Sequence, residues 1–176
     1  FEKLQIQEDN KLLQISNIVY PCDDITSEKT YGEDGLLNCF QKTMKGKSPQ
    51  FTYVTDESFL DKDLIGKYSS KIKSIVEIIE KSEGIVFIYT NWISAGILPL
   101  VLALEQNGYA KYDGSEILNT DDKREPISYT PYETNEEFIQ AKYMVIAGTQ
   151  ENLTHNLKEE LEVLTSEKNK NGKLIK

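Results

Sequence analysis

A chain of 176 residues, 39% hydrophobic and 28% charged, is long enough for one domain with a real core, or for a domain with an appendage. No apolar run approaches the ~18 to 20 residues that span a bilayer, so no membrane partner is expected. A net charge of -9 excludes a broadly basic nucleic-acid surface, and any such contact has to be local.

The chain opens on Phe1 with no signal-peptide sections, which predicts an internal fragment of a longer intracellular protein. Residues 2–20 read as two strands, KLQIQ and LLQISNIVY, joined into a β-hairpin around Glu8, Asp9, Asn10 and Lys11, where Asp and Asn favour a turn. The polar PCDDITSEKTYGEDG that follows reads as a linker. Leu36, Leu37, Phe40 and Met44 suggest a short helix, and FTYV at 51–54 a small strand. Residues 1–60 are therefore expected to form a connecting or accessory segment. Cys22 and Cys39 lack a CxxC or a companion His cluster, so ordinary reduced thiols are expected rather than zinc ligands or a disulfide framework.

From about residue 61 the pattern becomes α/β. Tyr68, Ile72, Ile75, Val76 and Ile79 recur at helical spacing, with Ser69 or Ser70 at an early position of that helix. Ile85 to Tyr89 hardly alternates, which predicts a strand covered on both faces in a mainly parallel central sheet. Ile97 to Leu104 make a helix with Pro99 in its first turn and Gly108 near its end. A second unit repeats the plan: strand Tyr143 to Ala147, a turn at Gly148, Thr149 and Gln150, and helix Leu157 to Leu164, with Asn156 and Glu159 placed for a capping box. GKLIK at 172–176 reads as the start of another strand. The polar stretch of about 109–140, with eight acidic residues against Lys111, Lys123 and Arg124, reads as a solvated surface insertion, long for a compact domain.

In open parallel sheets ligands bind beyond the carboxyl ends of the strands, where turns expose backbone N–H groups and helix N-termini favour anions. Thr90, Asn91, Trp92 and Ser94 lie at one such end, and Gly148, Thr149, Gln150 and Asn152 at the other. Two strands in one sheet with right-handed crossovers would bring both turns to one edge, a row of small polar groups suited to phosphates. Ordinary capping and turn chemistry uses the same residue types.

At these residues the sequence becomes familiar. EGIVFIYTNWISAGILPLVLALEQNGY resembles motif IV of superfamily-two helicases, in the form found in helicase and transcription-factor ATPases of nucleocytoplasmic large DNA viruses. SNIVYP at 16–21, YGEDGLLNCF at 31–40, IGKYSSKIKSIVEII at 65–79 and YMVIAGTQE at 143–151 agree in order. The resemblance implies that 61–176 is the second RecA-like (Rossmann-like) domain of a two-domain motor, incomplete at its C-terminal end. It implies a partner in the missing first RecA-like domain, and ATP with Mg in the full-length parent. Thr90, Asn91 and Trp92 match the end of motif IV, and Gly148, Thr149 and Gln150 the second contact turn, both gripping the sugar-phosphate backbone of single- or double-stranded nucleic acid. Trp92 has two readings, a base-stacking platform or a packing residue. A virion or host-cytoplasm (viral factory) location follows from the resemblance, as does an alternative role as a docking module for viral polymerase or transcription proteins.

Departures from the family pattern bear on chemistry. No G-x-x-x-x-G-K-[ST] occurs: Gly46, Lys47 and Ser48 imitate its end, but position 41 is Gln, and the only arginine is Arg124 inside the acidic stretch. No catalytic residue, metal site or bound cofactor is therefore expected in the fragment itself. His155 reads as a surface histidine, Asp23 with Asp24 and Asp121 with Asp122 as turn residues, and Lys67, Lys71 and Lys73 as a solvated helix border or local positive charge.

Overall fold

The computed structural model describes residues 2–132, 137–147, 153–154 and 156–176. It is a mixed α/β arrangement in which helices dominate: α1 (Glu2–Ile15), α2 (Gly32–Cys39), β1 (Phe40–Lys45), β2 (Ser48–Tyr53), α3 (Ser70–Lys81), α4 (Leu98–Gln106), β3 (Ala110–Lys111), β4 (Lys142–Tyr143) and α5 (Leu157–Leu164). Among the described residues there are two small sheets, an antiparallel β1–β2 pair and a parallel β3–β4 pair. No helix among the described residues is long and apolar enough to cross a membrane.

The hairpin expected at 2–20 is a helix instead. EKLQIQEDNKLLQI is rich in Glu, Lys, Gln and Leu, which lose little rotamer freedom in a helix, so Asp9 and Asn10 sit in its interior rather than at a turn. The real hairpin lies further on. β1 and β2 pair from Phe40 with Tyr53 to Lys45 with Ser48, which leaves Gly46-Lys47 as a two-residue turn. The helix read over 36–44 accordingly stops at Cys39, and Met44 lies exposed in β1. The Gly46-Lys47-Ser48 tripeptide belongs to a hairpin, not a phosphate-binding loop.

Tyr20, Phe40, Phe51 and Phe59 are almost wholly buried. Edge-to-face and tilted contacts link them, with ring centroids 6.3 Å apart for Tyr20 and Phe59 and 5.6 Å for Phe40 and Phe59. Phe59 then meets Tyr68 at 5.4 Å, so this cluster passes directly into the packing of α3. Ile72, Val76 and Ile79 form the buried stripe of α3, and its N-cap is Ser69, whose hydroxyl accepts from the Ile72 N–H at 2.9 Å and donates to the Asn17 carbonyl at 2.5 Å. Core residues thus come from both sides of residue 60.

Helix α4 runs through the middle of the core. Leu98 and Val101 to Leu104 are buried, as are the polar Glu105, Gln106 and Asn107 at its end. Pro99 occupies its first turn, and Gly108 follows at φ 89°.

The expected central strand is corrected in kind. Residues 85–90 pair in no sheet, and they alternate: Ile85, Phe87 and Tyr89 are exposed, at 50%, 82% and 76%, while Val86 and Ile88 pack against the core. Nothing described covers the outer face, so the segment takes the one-sided burial of a half-solvated strand rather than that of a central parallel one. Its link to the rest is a bond from the Val86 N–H to the Lys176 carbonyl at 3.3 Å, while the Lys176 N–H donates to Lys142 at 2.8 Å. The last residues therefore slot between the 85–90 segment and β4. The second expected strand, 143–147, is likewise short, with ladder pairing confined to Lys142–Tyr143. Gly172 ends a 3-10 turn, Glu167–Gly172, instead of opening a strand.

Part of the acidic stretch is packed into the fold. Ile117 and Leu118 are buried, and backbone bonds tie Phe51 to Ile117, Asn119 to Phe51, Arg124 to Gln106 and Ala141 to Ile127. Of its apolar residues, Ile117 and Leu118 are packed, whereas Tyr132 and Phe138 lie exposed.

Candidate functional site

The turn between the 85–90 segment and α4 is built by its smallest members. The Thr90 hydroxyl accepts from the Trp92 N–H at 3.3 Å, and the Tyr89 hydroxyl donates to the Asn91 side-chain oxygen at 2.5 Å. Ile93–Ile97 then form a π-helical turn that runs into α4, with the Ile97 N–H on the Trp92 carbonyl at 2.9 Å and a break in helical geometry at Ala95. Gly96 is required here: a Cβ at that position would strike the Thr90 hydroxyl. Asn91 is exposed, whereas Thr90, Trp92 and Ser94 are half-buried. The Ser94 carbonyl faces inward and accepts from the buried Tyr20 hydroxyl at 2.5 Å. Thr90, Asn91, Trp92 and Ser94 are thus one contiguous polar turn, held from below by the segment leading out of α1.

Gly148, Thr149, Gln150 and Asn152, the residues of the second expected turn, lie outside the described residues, as does His155. The Thr154 hydroxyl donates to the Val145 carbonyl at 2.7 Å and accepts from the Ala147 N–H at 3.1 Å. At the start of α5, Asn156 is the N-cap residue, but its side chain pairs with the Glu159 carboxylate instead of capping a backbone N–H. Asn156 holds the expected cap position, but the expected capping box does not form.

The charged candidates resolve into internal contacts. Lys71 reaches Asn17 at 2.6 Å, and Lys73 pairs with Glu77 at 3.9 Å on the same helix face. Asp24 accepts from the Thr26 N–H and hydroxyl, which holds its carboxyl below the ordinary value, and Asp122 accepts from Ser58 at 2.8 Å. Arg124 grips Asp61 with two bonds of 2.7 Å and also contacts Asp63, so the single arginine clamps the acidic stretch to the 61–63 loop. Among the described residues no group of three or more His, Cys, Asp or Glu side chains is placed to hold a metal ion.

Sequence reasoning missed the buried acid at the end of α4. Glu105 is fully buried; its carboxylate accepts from the Ile117 N–H at 2.9 and 3.0 Å, from the Leu118 N–H at 2.6 Å and from the Tyr143 hydroxyl, with Lys123 at 4.0 Å. Burial pushes its carboxyl up and pushes the Tyr143 hydroxyl well up, so Tyr143 stays a donor. The signal was a charged residue inside the apolar run of α4. With every oxygen engaged by backbone or side chain, Glu105 is a staple between α4, the acidic stretch and β4.

No family model, no curated protein and no solved structure matches this chain.

Proposed function

We propose that this chain is a nucleic-acid-binding unit of an ATP-dependent viral helicase or translocase, corresponding to its second RecA-like domain, with Thr90, Asn91, Trp92 and Ser94 gripping the sugar-phosphate backbone. The observation that carries the reading is the turn itself: an exposed polar corner at Asn91, then a π-helical turn, kinked at Ala95, that leads into α4 up to Gln106. Such corners present small hydroxyl and amide groups and helix-start N–H groups to an anion, without reading bases. The seating of the last residues between the 85–90 segment and β4 supports the same reading, because it sets three stretches of chain side by side. Gly148, Thr149 and Gln150 complete the proposed grip from the second turn. In the parent, ATP and Mg belong to the cleft with the first RecA-like domain; this chain supplies the grip, and a viral-factory setting in the host cytoplasm or the virion goes with that role.

One observation favours a second reading, a docking module for viral polymerase or transcription proteins: Ile85, Phe87 and Tyr89 form an exposed apolar row beside the turn. Fluorescence anisotropy of labelled single-stranded DNA and RNA, from low to physiological salt, separates the two. The grip predicts salt-dependent binding that a Thr90→Ala/Asn91→Ala variant loses. Binding that ignores those substitutions, or none at low salt, removes the grip and leaves the docking role.

A further inference from the structure

The two cysteines, seventeen positions apart in sequence, converge in the fold. Cys39 ends α2 with no exposed surface, and its thiol donates to the Pro21 carbonyl at 3.4 Å. The Cys22 α-carbon is one peptide unit beyond that oxygen, so the Cys39 sulfur lies within about 6 Å of it. Cys22 itself is half-buried, and the next residue, Asp23, is exposed. Asn38 also donates to the Pro21 carbonyl, at 3.2 Å, so residues 21 and 22 are already held against the end of α2. A disulfide needs neighbouring α-carbons and two sulfurs that can meet, and this contact already holds the Cys39 sulfur against the backbone that carries Cys22.

We propose that Cys22 and Cys39 form a reversible thiol–disulfide couple, with Cys22 as the site that meets a peroxide and Cys39 as the resolving thiol. This goes beyond the nucleic-acid reading and does not depend on it. The Cys22 thiolate attacks one peroxide oxygen, the O–O bond breaks, and the departing hydroxide takes a proton to leave as water, giving a sulfenic acid. The Cys39 sulfur then attacks the Cys22 sulfur; the S–O bond breaks, and the sulfenic hydroxyl leaves as water with the Cys39 proton. Two thiols are oxidised, one peroxide is reduced, and two waters form. Burial pushes the Cys39 thiol up to about 11, which keeps it protonated and unreactive toward peroxide until a sulfenic acid forms beside it. The closed bond would fix residue 22 to the end of α2 two positions from Tyr20, whose hydroxyl holds the Ser94 carbonyl of the candidate turn.

The test is peptide mapping of the purified chain after a short hydrogen peroxide treatment, with and without dimedone to trap sulfenic acid, and thiols blocked before non-reducing digestion. Expected is an intrachain peptide pair joined through Cys22 and Cys39, two hydrogens lighter than its free halves and released by dithiothreitol. Dimedone labelling of Cys22 should be weak in the wild type and several-fold stronger in Cys39→Ser. Sulfinic acid or chain-to-chain disulfides at Cys22 without the linked pair would overturn the proposal, as would equal dimedone labelling in both proteins. If Cys39→Ser does not fold, the wild-type map decides alone.

Discussion

The Tyr20 hydroxyl and the Ser94 carbonyl meet at 2.5 Å, joining the segment after α1 to the turn that starts the central helix. Burial, and next the nearby Cys39, push the Tyr20 hydroxyl well above its ordinary value, so it remains a donor at any working pH. Tyr20→Phe should keep the ring packing but leave the Ser94 carbonyl unmatched, at a cost of about 1 kcal/mol in urea unfolding. An unchanged midpoint would mean that the bond adds nothing to the turn's anchoring.

Glu105 predicts a stability profile on the alkaline side of the carboxylate range. Its carboxyl is raised by burial, so the folded chain holds a proton that the unfolded chain has already released. The contribution is complete below the ordinary carboxylate value and falls as pH rises through the raised one. Glu105→Gln should flatten that fall while costing about 2 kcal/mol at low pH, because an amide cannot accept from the Ile117 and Leu118 N–H groups with both its heteroatoms. Parallel pH profiles for the two proteins would contradict the assignment.

Arg124 predicts the opposite slope. Its hydrogen bonds, ahead of every other influence, hold the Asp61 carboxyl below the ordinary value, so their stabilisation is present above that value and is lost as pH falls through the lowered one. Arg124→Ala should cost no more than about 1 kcal/mol at neutral pH, since the guanidinium is a third exposed, and should reduce the acid-side loss. Arg124→Lys should recover only part of this, because lysine cannot make the two-bond fork to Asp61.

Gly108 predicts a larger effect. It combines φ 89° with a Glu125 carbonyl oxygen lying where a Cβ would go. Gly108→Ala should cost at least about 2 kcal/mol by thermal or urea unfolding, from left-handed strain and displacement of the acidic stretch together.

What was legible in the sequence was local and periodic. Ser69 before the Ile72, Val76 and Ile79 stripe, and Pro99 with Gly108 bracketing an apolar run, gave α3 and α4 because capping and burial act within a few residues. Residues 2–15 were misread because Asp9 and Asn10, strong turn residues in isolation, are outvoted by the helix formers around them. The 85–90 segment was misread for a different reason: an apolar run does not say whether a second layer covers it, and here Phe87 and Tyr89 face outward. At the candidate site the approach to a helix beyond Thr90 was readable, but the strand expected before it does not pair in a sheet. The support of Ser94 by Tyr20, and the tie of α4 to the acidic stretch through Glu105, were not readable, because those partners are remote in sequence.

Trp92 is the chain's single tryptophan and sits in the proposed grip, so its own fluorescence reports the central claim. Titrating the protein with a single-stranded oligonucleotide at low salt should quench or shift Trp92 emission in step with the anisotropy of the labelled strand, and both signals should weaken together as salt rises. Binding that leaves Trp92 emission untouched, or emission that never responds at any salt, would place nucleic acid away from this turn and contradict the account.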